Sequence, residues 1–493
     1  MNDSQQLSTP TIFCDPNCNN MQKALTEFEN CLGPKGYSTD QADIAPWLTD
    51  WRGRFTGKAK ALLSPANTQE VAEIVRIAAR AKIALVPQGG NSGMVAGATP
   101  DKSGDAVLLS LRRMNRIAGY DADTRMIQCE AGVILQNLHE FAATHARRFP
   151  LTLGGKGSAT VGGLVSTNAG GTQVLRHGTM RALIEGIEAV MPDGSIFDGL
   201  SPLKKDNRGY DLKQLLIGAE GTIGIITGAL LRTEPALVDR CAVWAGVDSP
   251  ETAYRLLLSV QDSAPDALEG FELMPHEAVE NVLKHIDGTR PPLAGKHRWH
   301  ALMEFVRTDP DGEDPATLAE RCLAPAADTG MIEDAALASS EAQAEDFWKI
   351  RDSIAEAERA EGPALQHDIS VPVADMARFI TDESPAIEAE FAGCSVIAFG
   401  HLGDGNIHYH VKAPKGTQPD EWYGSSSDRI SSHIYDRVSA YNGSISAEHG
   451  IGQLKLNELG RISDPARLYA LRGIKMALDP DNIMNPGKLV PLA

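Results

Sequence analysis

Three histidines, an Asp-Gly pair and an Asn fall within eleven residues, GHLGDGNIHYH at 400–410. The flanking runs CSVIAF and IHYHV are apolar, β-branched or aromatic, and predict a hairpin with Asp404-Gly405 as its two-residue turn. In that register His401 faces His408 directly, with Cβ atoms roughly 5 Å apart, and His410, two residues on, points to the same side. A solvated histidine face or a hydrogen-bonded core cluster would have the same spacing. Imidazoles converging from facing strands suit a divalent metal ion, and a metal is the expectation.

Arg351 is a second chemical signal. In AEDFWKIRDSIAEAE it lies four residues after Phe347, three after Trp348 and three before Ile354, within the apolar stripe of a predicted helix. A guanidinium there needs an anionic partner, either a substrate carboxylate or an internal Glu or Asp.

Three glycine-rich segments form a third signal. PQGGNSG (87–93) follows a predicted strand, and its glycines let successive N–H groups turn inward on an anion such as a pyrophosphate. GGKGSATVGGLVSTNAGG (154–171) has seven glycines in eighteen positions, and GAEGTIGIIT (218–227) repeats the theme before a strand. There is no GxGxxG and no GxxxxGK[ST], so neither the nicotinamide fingerprint nor a P-loop is present.

The surrounding pattern supplies elements to carry these groups. Asn67 and Glu70 predict a capped helix with Val71, Ile74, Val75 and Ala78 on its apolar face. The first 235 residues read as α+β. From about 236, strands are expected at CAVWAGV, HALMEFV, DISVPV and SVIAFGH, and from about 430 the chain is mainly helical. The resulting division is 1–235, 236–430 and 431–493.

With 493 residues, 23% charged and 42% hydrophobic, the chain is long enough for two or three globular domains. Its net charge of −19 argues against nucleic acid or an anionic membrane as a general partner. Seven scattered cysteines read as reduced thiols, and Cys14 and Cys18 lack a second pair that would complete a zinc site. No apolar run approaches a membrane span, and MNDSQQLSTPTIF lacks a secretory pattern, so the expected location is cytoplasmic.

The ordered set PQGGNSG, GGKGSATVGGLVSTNAGG, GAEGTIGIIT, GHLGDGNIHYH, SAEHGIG and NPGK resembles FAD-linked D-2-hydroxy-acid dehydrogenases. These are the D-2-hydroxyglutarate and D-lactate dehydrogenase group of the vanillyl-alcohol oxidase/p-cresol methylhydroxylase superfamily. The resemblance implies an α+β fold: a two-part FAD-binding domain, from residues 1–235 and the C-terminal helical segment 431–493, with a ferredoxin-like substrate and metal domain at 236–430. It assigns FAD contacts to Gln88, Gly89, Gly90, Asn91, Ser92 and Gly93 in the first segment, and to Gly154, Thr160, Gly163, Asn168 and Gly171 in the second. Glu220, Thr222 and Ile225 in the third, and Asn485 near the C-terminus, complete the set. The first turn has no His to attach flavin, so the FAD is expected to be non-covalent.

The resemblance also implies that His401, His408 and Glu448 bind zinc or another divalent metal, with His449 as general base and Arg351 binding substrate. An α-hydroxy acid would lose its hydroxyl proton to His449 and its α-hydrogen as hydride to the flavin. Three positions depart from the hydroxyglutarate enzymes. Gln366 replaces a Lys that binds the distal carboxylate, His410 replaces an Asn, and Ala355 replaces a hydroxylated residue. The expected substrate is therefore a D-2-hydroxy acid such as D-lactate or something larger and less acidic than D-2-hydroxyglutarate, with His410 as a partial substitute for the missing cation. A flavin oxidase using oxygen and a flavin- or metal-binding protein without turnover are the competing readings. Expected partners are an electron acceptor such as an electron-transfer flavoprotein, cytochrome or quinone, and a second copy in a homodimer.

Overall fold

The computed structural model describes residues 16–492, so Cys14 and the first residues read for a leader lie outside it. The helix Thr68–Ala81 begins where expected: Asn67 Oδ1 accepts the Glu70 N–H at 2.9 Å, and the Glu70 carboxylate takes the Ala66 N–H at 2.7 Å. Its Val71, Ile74, Val75 and Ala78 are buried. Each of the three larger side chains contributes about 1.5–3 kcal/mol by leaving water.

That helix packs in one hydrophobic core with two sheets. In the first, Leu85–Gln88 is an edge strand parallel to Val107–Ser110. The second has five strands, with Ile225–Arg232 central between Met126–Glu130 and Ile184–Val190. The far end of the chain returns to this core. Leu85 N–H donates to Ile483 O and Asn485 N–H to Leu85 O, both at 2.8 Å, so residues 483–485 extend the edge beside the first glycine turn.

The second core is built on a seven-stranded antiparallel sheet. Asp239–Val247, Leu268–Pro275, Trp299–Arg307 and Asp334–Leu337, with helices Pro250–Ser263 and Pro315–Asp328 between them, lie in the spatial order 4-1-3-2. This is the ferredoxin-like arrangement. Beyond Leu268–Pro275 the sheet continues through Ser395–His401, Asn406–Lys412 and Ala364–Ser370. Helices Glu341–Asp352 and Ile354–Glu361 cover the face that carries Ile397 and Phe399.

Leu268–Pro275 is a strand that the sequence pattern did not reveal. It lies between two strands and is covered on both faces, so Glu269 and Glu272 within it are buried instead of marking a solvent side. Helix Ser427–Ala440 packs Ile430, Ile434 and Val438 into this second core. No helix among the described residues is long and apolar enough to cross a membrane.

Candidate active site and metal centre

The hairpin forms, in a different register from the expected one. Phe399 pairs with His408 and Ile397 with His410, and the chain turns through four residues, 402–405. His401 therefore stands diagonal to His408. The shift of register by two keeps all three histidines on one face, because side chains alternate with period two. Ring centroids of His401 and His408 are 5.6 Å apart, and those of His408 and His410 are 6.5 Å apart. The longer loop follows from Gly400, whose φ of +151° brings its Cα so close to Asn406 that a Cβ would lie 2.4 Å from the Asn406 carbonyl oxygen.

Glu448 reaches this face from the irregular segment after helix Ser427–Ala440. Ser370 and Ser444 exchange backbone hydrogen bonds, which ties the segment to the sheet edge. Lys455, buried so that its ammonium falls to about 8, donates to Ile445 O at 2.7 Å. Ligand atoms of His401, His408 and Glu448 all lie within 4.8 Å of one another, as do those of Asp368, Glu448 and His449. The first set fits a divalent ion better. Asp368 already spends its oxygens on protein donors: Oδ1 accepts from Asn406 Nδ2 at 2.9 Å, and Oδ2 accepts the N–H groups of Glu448 and His449 at 2.9 and 3.0 Å.

Carboxylates stand close behind two of the imidazoles, His401 and His449. His401 Nδ1 lies 3.1 Å from Glu272 Oε1, a buried oxygen without a hydrogen-bond partner, so a small turn of the ring would make the carboxylate contact that leaves Nε2 as the ligand. His449 Nδ1 lies 3.5 Å from Asp368 Oδ2. Burial lowers His449 to about 4, although Asp368 opposes the shift, so the ring is neutral at pH 7. Burial, Asp368 and Asp404 together push Glu448 up to about 7 against the pull of His401.

Arg351 finds the internal partner that its sequence position left open. Its Nε donates to Glu272 Oε2 at 2.9 Å, and its Nη2 to His401 Nε2 at 3.0 Å, a contact that a metal on that nitrogen would displace. Gln366 and His410 face each other across the strand pair, and both donate to Glu358, at 3.2 and 2.6 Å.

The glycine segments come together beside the other core. A Cβ on Gly89 would lie 2.1 Å from Thr160 Oγ1, and one on Gly90 only 1.7 Å from Ser158 O, so the first turn seats on the second segment because it has no side chains. Ser92 lies beside Gly155, and Gly171 passes Thr152 O at 2.1 Å from its Cβ position. The space at Gly93 and Gly154 is open. Among the described residues, the N–H groups of residues 89–93 donate to no protein acceptor. A row of unpaired donors beside open space fits a dinucleotide pyrophosphate. Gln88 Oε1 and Asn485 Oδ1 are likewise buried without partners, while their amide nitrogens are held by Ala98 O at 2.9 Å and Glu220 O at 2.8 Å.

Other residues of the expected set serve the fold. Thr160 caps helix Val161–Thr167 through Gly163 N–H at 3.4 Å, Asn168 ends that helix in the left-handed region, and Asn91 donates to Thr49 O at 2.8 Å. Thr222 donates to Ala219 O at 2.7 Å, and Ile225 is a buried strand residue. Glu220 turns its carboxylate away to accept Ile451 and Gly452 N–H at 2.7 and 2.8 Å, locking the loop after His449 to the glycine-rich core. Sequence reasoning missed Glu272, Glu358 and the role of Asp368. Only Glu272 carried a local signal, a carboxylate between Phe271 and Leu273 in an otherwise apolar run; Glu358 beside Arg359 and Asp368 beside His367 carried none.

Residues 59–199 match the family described as FAD binding domain, and residues 238–489 that of FAD linked oxidases, C-terminal domain. The chain is 35% identical over 469 residues to the mitochondrial D-2-hydroxyglutarate dehydrogenase of Arabidopsis thaliana, covering 95% of this chain and 82% of the relative. It is 33% identical to the mitochondrial D-2-hydroxyglutarate dehydrogenase of Bos taurus (92% and 81%) and 31% identical to the D-2-hydroxyglutarate–pyruvate transhydrogenase of Saccharomyces cerevisiae (94% and 94%). p-Cresol methylhydroxylase with substrate bound superposes with a TM-score of 0.75 at 14% identity, over 96% of this chain and 98% of that one. The mitochondrial names of the plant and bovine relatives overturn the cytoplasmic expectation. Composition and an absent apolar run carry no information on compartment.

Proposed function

The chain belongs to the family of FAD-dependent D-2-hydroxy-acid dehydrogenases, and from that premise we propose that it oxidises a D-2-hydroxy acid to the 2-oxo acid at a divalent-metal site. The observation that carries this reading is the convergence of His401, His408 and Glu448 next to a neutral His449 backed by Asp368. His2Glu leaves a coordination position open, which a catalytic site needs. When bound, a zinc or similar ion would acidify the substrate hydroxyl and FAD would accept the α-hydrogen with its electron pair.

The chain's own residues do the rest. Asp368 holds His449 through its backbone N–H at 3.0 Å and lies 3.5 Å from its Nδ1, which leaves Nε2 to take the hydroxyl proton. Glu272 stands behind His401 and holds Arg351, and Arg351 can turn its Nη2 from His401 to the substrate carboxylate once a metal occupies that nitrogen. We divide the labour at about residue 235, with Glu448 and His449 from the segment after residue 430 serving the metal site and residues 483–485 returning to complete the flavin side. Without a nicotinamide fingerprint, the natural acceptor is an electron-transfer flavoprotein, a cytochrome or a quinone.

Anaerobic mixing with D- and L-2-hydroxy acids tests the proposal. Flavin should bleach with D-acids only and reoxidise slowly in air. No bleaching with any D-acid overturns it in favour of a binding protein, and fast reoxidation by oxygen favours an oxidase.

A further inference from the structure

The proposal concerns the substrate's tail, and it rests on the D-2-hydroxy-acid reading above. Gln366 and His410 form one cross-strand rung, two residues along the strands from the rung of Asp368 and the metal-ligand candidate His408 and so on the same face. Helix Ile354–Glu361 crosses this face and carries Glu358, which is only 1% exposed. Its Oε2 accepts from His410 Nδ1 at 2.6 Å and from Gln366 Nε2 at 3.2 Å, while Oε1 is buried with no partner. Ala355 lies one turn earlier on the same side of the helix.

Both side chains that the sequence offers to a distal carboxylate are thus turned onto a carboxylate of the protein. Glu358 Oε2 thus takes up a donor from each of His410 and Gln366, and the rung offers no free cation of its own. A second substrate carboxylate would meet no uncompensated cation on this rung and would approach the unpartnered Oε1 with like charge. A neutral tail with an N–H or O–H would instead give that oxygen the hydrogen bond it lacks. We propose that Glu358 is a specificity-determining residue that selects D-2-hydroxy acids whose tail ends in a neutral hydrogen-bond donor, such as an amide or hydroxyl, over diacids.

The test uses an isosteric pair, D-2-hydroxyglutarate and its distal amide D-2-hydroxyglutaramate, in anaerobic stopped-flow flavin reduction with the holoenzyme. Wild type should favour the amide by roughly 10- to 100-fold in kcat/KM. Glu358→Gln should bring the ratio toward one or invert it, with metal and flavin content measured alongside. A wild-type preference for the diacid overturns the proposal, as does a ratio unmoved in a metal- and flavin-replete Glu358→Gln. The wild-type ratio decides the matter even if the variant does not fold. Failure of every D-2-hydroxy acid to reduce the flavin would instead overturn the underlying function.

Discussion

Asp368 is 1% exposed and accepts from Asn406 Nδ2, Glu448 N–H and His449 N–H, with the His449 ring 3.5 Å away. One carboxylate therefore fixes the backbone of both a metal ligand and the candidate base. These donors and its neighbouring cations hold Asp368 far below the usual carboxylate range despite burial. Asp368→Asn should slow flavin reduction by about 10²- to 10⁴-fold with FAD still bound; a rate within twofold of wild type would remove His449 and Asp368 from the chemistry. Glu272 stands behind His401. Glu272→Gln should weaken metal binding about 10- to 100-fold, read by competition with a chromophoric chelator, and an unchanged affinity would show that His401 needs no carboxylate behind it.

At the scale of elements, the two histidine ligands and the first glycine turn belong to separate pieces of backbone, while Glu448 stands at the join, beside Gly170. The hairpin strands Ser395–His401 and Asn406–Lys412 lie in the seven-stranded sheet, whereas the turn after Leu85–Gln88 packs on the segment around Ser158. Gly90→Ala would place a Cβ 1.7 Å from Ser158 O. Backbone cannot yield there without opening the cradle, so this variant should lose FAD, measured by absorbance after acid release, and keep metal stoichiometry by elemental analysis. Chelation should do the reverse, abolishing turnover with the flavin spectrum retained. Joint loss of both cofactors in either experiment would contradict the separation.

Across the whole molecule, the two cores are tied by Glu269 on strand Leu268–Pro275, which accepts from Arg148 Nη1, from Arg148 Nη2 at 2.7 Å and from Arg176 at 3.3 Å, with His177 at 3.6 Å. Burial alone would raise Glu269, but His177 and Arg148 outweigh it and bring the carboxyl to about 2. Since this lies below the unfolded value, the clamp's stabilisation is complete above about pH 4.5 and is lost as pH falls through the folded value, amounting to roughly 3 kcal/mol at neutral pH. Glu269→Gln should lower unfolding free energy at pH 7 by roughly 3–5 kcal/mol, and the gap from wild type should narrow between pH 4.5 and 3. A gap independent of pH in denaturant melts would show that the cluster is not an ion-pair clamp.

The local pattern was enough for the capped helix at Thr68–Ala81, the hairpin with three histidines on one face and the glycine turns, because each depends on residues within a few positions of one another. Order along the chain also determined the family, since six motifs in sequence are hard to produce by chance. The hairpin register was not legible: a two-residue turn and the actual four-residue loop preserve the same alternation, and the choice fell to Gly400 and its close approach to Asn406. Nor were the partners of the reactive groups. Glu272 lies 79 residues before Arg351, Glu358 lies 52 before His410, and Asp368 lies 81 before His449. A buried carboxylate is stable only opposite the donors that satisfy it, and sheet order alone places those donors, so only tertiary structure decided which histidine each acid serves.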